Sequence, residues 1–277
     1  APLIVTDTVT AETIKYASNA FLATKLSFVN ALAGLCESVG ADVRDVVLGL
    51  GYDKRIGFEF LRPGPGWGGS CLPKDTTALV HIAGEAGYDF ALLRAAMASN
   101  QEQLDRVVAK VAAAAAPGDA PDDGGGEGQD AGSGGGRPGS PRPAGRLDGV
   151  VVAVWGLTFK AETDDRRSSP AVDVARRLLD LGASVRAFDP TVSPAPSAVA
   201  ERSSGDLAGM TLCADPYEAC REAQVTVLLT EWDEFRGLDF TKVRDLMAQP
   251  SVVDARNLLD PAALRRIGFT YTGIGRP

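Results

Sequence analysis

Histidine is almost absent from this chain: His81 is the only one in 277 residues. Ser-His-Asp and Cys-His catalysis are therefore excluded unless His81 takes part, and its setting, ALVHIAGEAG, is that of a core or surface-edge residue. Cysteine is scarce as well. Cys36, Cys71, Cys213 and Cys220 form no CxxC pair, so no zinc or other metal site and no disulfide scaffold is expected, and free thiols in a reducing cytoplasm are the simpler reading. No run approaches the roughly 18 apolar residues of a membrane span, and no transmembrane helix is expected. Basic residues are outnumbered, 28 against 36 acidic, for a net charge of -8. Such a chain gains no counterion-release energy on DNA or RNA, which argues against a nucleic-acid partner. The opening APLIVTDTVTAETIKYA has neither an initiator Met nor the basic segment and cleavage site of a secretory signal.

Hydrophobic residues make up 45% of the chain and charged residues 23%. That supplies a sizeable core, and the length suggests about two domains. From Ala11 to Val39 apolar residues recur every three and four positions, which predicts a long helix buried on several sides, with Thr10 as its N-cap and Gly40 as its end. Further helices are predicted at Val43–Gly49, Lys74–Ala86 and Leu92–Ala115. Residues 117–146 then contain 11 Gly and 5 Pro but no Val, Ile, Leu, Met or aromatic residue. They have nothing to bury, so a flexible linker or surface insertion is expected. After it, VVAVWGL reads as a strand buried on both faces, Ser169-Pro170 starts a helix, and SVRAFDP is a second strand. This is a βαβ unit. More strands are predicted at Val225–Thr230, Ser251–Asp254 and Phe269–Gly273. The fold class is α/β, with an all-helical domain (1–116), a Gly/Pro-rich insertion (117–147) and a doubly wound, Rossmann-like α/β domain (148–277).

Gly64, Gly66 and Gly69 satisfy the G-x-G-x-x-G pattern, but no buried strand precedes them and Pro63 and Pro65 flank the first Gly. The dinucleotide reading fails on that context, and a loop whose backbone passes close to a ligand is expected instead. The second half has only Gly156 at its first turn. Cys71, in Gly-Gly-Ser-Cys-Leu-Pro-Lys-Asp, falls just before a predicted helix, beside unpaired N–H groups and near Lys74. That setting predicts a nucleophile. Asp75 is expected to cap the helix or position a water. The other three cysteines read as packing residues.

The segment GFEFLRPGPGWGGSCLPKD resembles the active-site segment of the nucleotide-sugar 6-dehydrogenases, the UDP-glucose/GDP-mannose dehydrogenase family. The resemblance extends to AETIKYASNAFLATKLSFVNALA, VWGLTFKAETDDRRSSPA, VLLTEWDEF and VVDARNLLDP, which is nearly the whole chain outside the insertion. It implies a central helical dimerisation domain followed by a UDP-binding α/β domain. It also implies an NAD-dependent four-electron oxidation of a nucleotide sugar, through a thiohemiacetal and a thioester on Cys71. RIGFEFLRPGPGWGG favours UDP-glucose, oxidised to UDP-glucuronate; GDP-mannose or another nucleotide sugar, and a non-catalytic dimerisation module, are the alternatives.

Residue by residue, the resemblance gives Lys15 and Asn19, one helical turn apart, an oxyanion-stabilising and water-orienting role. Asp75 matches a carboxylate that helps activate the hydrolytic water. Arg55 matches an arginine reaching the substrate across a homodimer interface made by the long helix. Phe60, Leu61, Arg62, Pro63, Gly64 and Gly68 match the loop over the substrate, Lys160 a substrate lysine and Arg256, more weakly, a substrate arginine. Lys74 and Arg167 match residues contacting NAD. The family also has an N-terminal dinucleotide-binding domain, and residues 1–10 resemble the connection leaving it. The expectation is a fragment inactive by itself.

Overall fold

The computed structural model describes residues 3–116, 145–192 and 205–276. Four helices come first: α1 (Thr8–Val39), α2 (Val43–Tyr52), α3 (Leu72–Glu85) and α4 (Ala91–Ala115). Asp7, not Thr10, caps α1. Its carboxylate accepts from the Thr10 N–H at 2.9 Å, and Thr10 lies one turn inside. Gly40 ends the helix as predicted, at φ +74° with its N–H on the Cys36 carbonyl.

The heptad-spaced Ile14, Phe21, Phe28 and Leu35 are 46%, 68%, 58% and 56% exposed. The expectation that α1 is buried on several sides fails along this stripe; Ala20, Ala23, Val29, Ala33 and Cys36 supply the buried face. By length and composition alone α1 could cross a membrane, with an 18-residue window of mean hydropathy 1.2. Judging by uninterrupted apolar runs missed this, because the polar residues of the helix are dispersed. Several of them bond to other parts of the protein, as described below.

The second part contains β1 (Val151–Trp155), α5 (Pro170–Asp180), β2 (Ser184–Phe188), β3 (Thr211–Leu212), α6 (Pro216–Cys220), β4 (Val225–Leu228), α7 (Phe240–Leu246), β5 (Ser251–Asp254), α8 (Pro261–Arg266) and β6 (Thr270–Gly273). The sheet order is β3-β2-β1-β4-β5-β6, parallel at every pairing. This is the doubly wound arrangement the sequence predicts. β3 escaped that prediction because two residues carry no period.

Alternation along β1 sends Val152 and Val154 to one face and Ala153 and Trp155 to the other. The first face shares a core with Leu104, Val107 and Val111 of α4 and Val174 and Leu178 of α5. The second packs on α6, α7 and α8 through Cys220, Val243 and Leu264. α4 thus belongs to the helical layer and also covers the sheet. The insertion expected at 117–147 lies outside the described residues over 117–144. Its last residue, Leu147, is in the core with its N–H on the Leu181 carbonyl at 2.8 Å.

Candidate active site

Cys71 is the residue before α3, with Pro73 in the first turn where a missing N–H costs nothing. It is exposed, whereas Cys36, Cys213 and Cys220 are buried and free, as the packing reading requires. The Ser70 hydroxyl lies 3.7 Å from the Cys71 sulfur. The first-turn geometry also brings Lys74 and Asp75 to this end of the helix.

Asp75 does not cap α3. Its carboxylate, 1% exposed, accepts from Lys15 Nζ at 3.1 Å and from Asn19 and Lys74. Burial alone would raise its pKa; the bonds from Lys74, Asn19 and Lys15 outweigh that and hold it at about 2. Lys15 and Asn19 are four residues apart on α1, so one carboxylate receives both. Lys15 and Lys74 keep most of their own side chains in solvent. The cluster presents two ammonium groups and an amide beside an exposed thiol.

The chain between α2 and α3 has no regular structure past its first turns, yet its backbone is held tightly. Asn30 of α1 accepts from the Gly64 N–H at 2.9 Å, and Gln103 of α4 donates to the Gly64 carbonyl at 2.7 Å. Asn100 accepts from the Trp67 N–H at 2.8 Å and donates to the Trp67 carbonyl at 3.0 Å. Trp67 Nε1 donates to Ser27 Oγ at 2.8 Å, and Ser27 donates to the Ala96 carbonyl. All four gripping side chains are buried. Sequence reasoning missed them. The available signal was polar residues falling in the buried phase of otherwise apolar helices.

The glycines of this loop are explained by protein contact rather than by the ligand the sequence suggested. A Cβ on Gly68 would lie 1.9 Å from the Ser168 carbonyl oxygen, and one on Gly69 would lie 2.8 Å from the Phe159 ring. Gly69 is at φ +84° and donates its N–H to Ser168. The loop before Cys71 is therefore seated directly on the turn after β1 and on the entry to α5. Lys160 follows Phe159, exposed, its ammonium 5.5 Å from that ring. Arg167 is exposed and makes a two-pronged ion pair with Asp165. Arg167 and Asp165 line a groove of about 740 Å³ with Arg166, Arg176 and Asp206.

Several expected site residues fall elsewhere. Arg256 is half-buried, with Nε on the Leu229 carbonyl at 2.8 Å and Nη2 on the Phe159 carbonyl at 3.1 Å. It braces the loop carrying Lys160 through these two nitrogens, while a Cβ on Gly64 would lie 3.2 Å from its Nη1. Arg55 is exposed and pairs with Asp53; among the described residues nothing brings it to Cys71. Phe60 and Arg62 are exposed, Pro63 half-buried and Leu61 buried. His81 is exposed beside Glu85, ten residues along α3 from Cys71. Among the described residues no group of His, Cys, Asp and Glu could hold a metal ion.

The first turn of the sheet domain is closed to a dinucleotide. A Cβ on Gly156 would lie 2.4 Å from Thr230. Asp189, at the strand end where a dinucleotide fold binds a ribose, accepts from Leu157 N, Thr158 N and Trp232 Nε1. The turn after β1 thus forms no dinucleotide cradle, and Lys74 and Arg167 are both exposed.

Two family models match: the central domain of the UDP-glucose/GDP-mannose dehydrogenase family over residues 9–102 and its UDP binding domain over residues 153–261. UDP-glucose 6-dehydrogenase TuaD of Bacillus subtilis is 39% identical over all of this chain and 52% of its own length. UDP-glucose 6-dehydrogenase of Pseudomonas aeruginosa is 42% identical over 96% of this chain and 52% of its own. A solved UDP-glucose dehydrogenase from the archaeon Pyrobaculum islandicum superposes with a TM-score of 0.76 at 30% identity, covering 100% of this chain and 54% of that one. The chain spans about half the length of the curated relatives it matches. The two models together span well over half of the chain, in the order the resemblance implies: it belongs to the UDP-glucose/GDP-mannose dehydrogenase family.

Proposed function

We propose that this chain carries the thiol and the nucleotide-sugar site of an NAD-dependent UDP-glucose 6-dehydrogenase, with residues 1–116 as its helical domain and 148–277 as its UDP-sugar domain. The observation that carries the reading is the single carboxylate of Asp75 holding Lys15, Asn19 and Lys74 one turn beyond an exposed Cys71. The Cys71 thiolate adds to the C6 aldehyde and forms a C–S bond. Lys15 and Asn19 stabilise the resulting oxyanion. After oxidation to the thioester, water adds to the carbonyl, the C–S bond breaks, and the thiolate and uronate separate. Asp75 stays ionised and orients both donors through these steps. Two NAD molecules, bound in turn, would each accept one hydride; the turn after β1 forms no cradle for them. Lys160 at the loop mouth suits an anionic diphosphate, and it sits on an acidic chain that needs local positive charge for such a ligand.

The heptad stripe Ile14–Phe21–Phe28–Leu35 supports a homodimer through α1. The free thiols suit a reducing cytoplasm. The test is alkylation of Cys71 by iodoacetamide with UDP-glucose or GDP-mannose present. Protection by UDP-glucose at a lower concentration than by GDP-mannose is expected; no protection by either refutes the site. Followed by NADH absorbance, this chain alone is expected to give no turnover of UDP-glucose.

A further inference from the structure

We infer that Asn100 and Gln103 of α4 are positioning residues for Cys71, an inference that rests on the proposed role of that thiol. They are three residues apart and so share one face of the helix. Asn100 closes a two-bond ring on Trp67, accepting from its N–H at 2.8 Å and donating to its carbonyl at 3.0 Å. Gln103 holds Gly64 at 2.7 Å through its amide nitrogen. Its amide oxygen accepts from Arg106 Nη1 at 3.1 Å, which fixes which end of the side chain faces the loop. Pro63 and Pro65 have no N–H to offer, and of the three N–H groups left in this stretch those of Gly64 and Trp67 are taken by Asn30 and Asn100.

The loop therefore takes its register from side-chain amides in place of a strand ladder. A Cβ on Gly66, at φ +139°, would lie 3.0 Å from Asn100 Oδ1, so no slack separates loop and helix. Four residues beyond Trp67 comes Cys71, and between them Gly68 and Gly69 touch Ser168 and Phe159 of the sheet domain. α4 is itself packed on that sheet through Leu104 and Val107. The same helix thus sets the loop and the surface against which the loop is read, and the amide grips decide where the thiol stands relative to Lys160 and Asp75.

The test uses the full chain with Gln103→Met and Asn100→Ala, and with Val111→Ala as a control. Val111 is buried on the same helix and touches the sheet core, not the loop. The readouts are the iodoacetamide rate at Cys71, resolved by mass spectrometry, and amide exchange over residues 61–72. Both loop variants are expected to raise exchange there at least tenfold and to change the Cys71 rate at least fivefold. The buried cysteines stay unmodified, and Val111→Ala leaves the Cys71 rate within twofold. A Cys71 rate unchanged in either loop variant, or changed equally by Val111→Ala, overturns the inference. Protection of the unmodified chain by UDP-glucose reads the proposed function separately: its absence refutes that reading and leaves the rate comparison standing.

Discussion

Lys15 Nζ of α1 lies 3.1 Å from Asp75 Oδ2 of α3, sixty residues on in the chain. The carboxylate is buried and the ammonium mostly exposed. A single buried charge therefore fixes the relative position of two helices that both contribute to the thiol site.

Replacing Asp75 with Asn keeps an acceptor but removes the charge that Lys15 and Lys74 compensate. A loss of about 1.5–3 kcal/mol is expected, the range for a hydrogen bond to a charged group. Thermal unfolding measures it, and UDP-glucose protection of Cys71 is expected to weaken in the same variant because Lys15 and Asn19 lose their anchor.

The same residue gives the chain an acid limit. Asp75 is held at about 2 against an ordinary value of 3.8. A carboxyl depressed by folding contributes stability that is complete above its unfolded pKa and drains as pH falls through the folded one. Its contribution is expected to be full above about pH 5 and to fall towards pH 2, by about 2 kcal/mol in total. Urea unfolding from pH 6 to pH 2 tests this: Asp75→Asn is expected to show a shallower acid loss than the unmodified chain, and parallel curves would refute it.

Two glycines make opposite predictions. Gly68→Ala places a methyl 1.9 Å from a backbone oxygen that cannot swing away, so a loss of at least about 1–3 kcal/mol is expected from overpacking. Gly49 lies inside α2 with nothing within 4 Å of its missing Cβ. Gly49→Ala is expected to stabilise by about 0.5–1 kcal/mol, the helix-interior cost of glycine. Melting temperatures of the two variants should move in opposite directions.

Phe21→Glu and Phe28→Glu place charges on the exposed stripe of α1. Sedimentation is expected to show a dimer for the unmodified chain and a monomer for the double variant, with unchanged far-UV circular dichroism. A dimer that survives both charges would place the interface elsewhere.

The sheet was legible because its strands are short apolar runs with turn residues between them, and Ser251–Asp254 was bounded to the residue. Cys71 stood out in the sequence through its flanking glycines and the Pro-marked helix N-terminus that follows it, whereas Lys15, Asn19 and the role of Asp75 came from the family resemblance, helix period saying only that Lys15 and Asn19 share a face. Their meeting on one carboxylate was not legible, because it depends on how α1 crosses α3. The two carbonyls that Arg256 finds were not legible, since sequence does not say which acceptors a guanidinium will meet. Asn30, Asn100 and Gln103 were invisible for the same reason: a polar residue on a buried helical face announces a partner without naming it. The glycines announced close approach but not to what, and the answer was the protein's own second half.

Ala115 and Leu147 flank the Gly/Pro-rich stretch, and both belong to the core that joins α4 to the sheet. The stretch therefore connects two points that packing already holds in one body. A protease that cut within 117–144 would leave two bands on a denaturing gel but one particle in solution, with Gly69 still seated on Phe159.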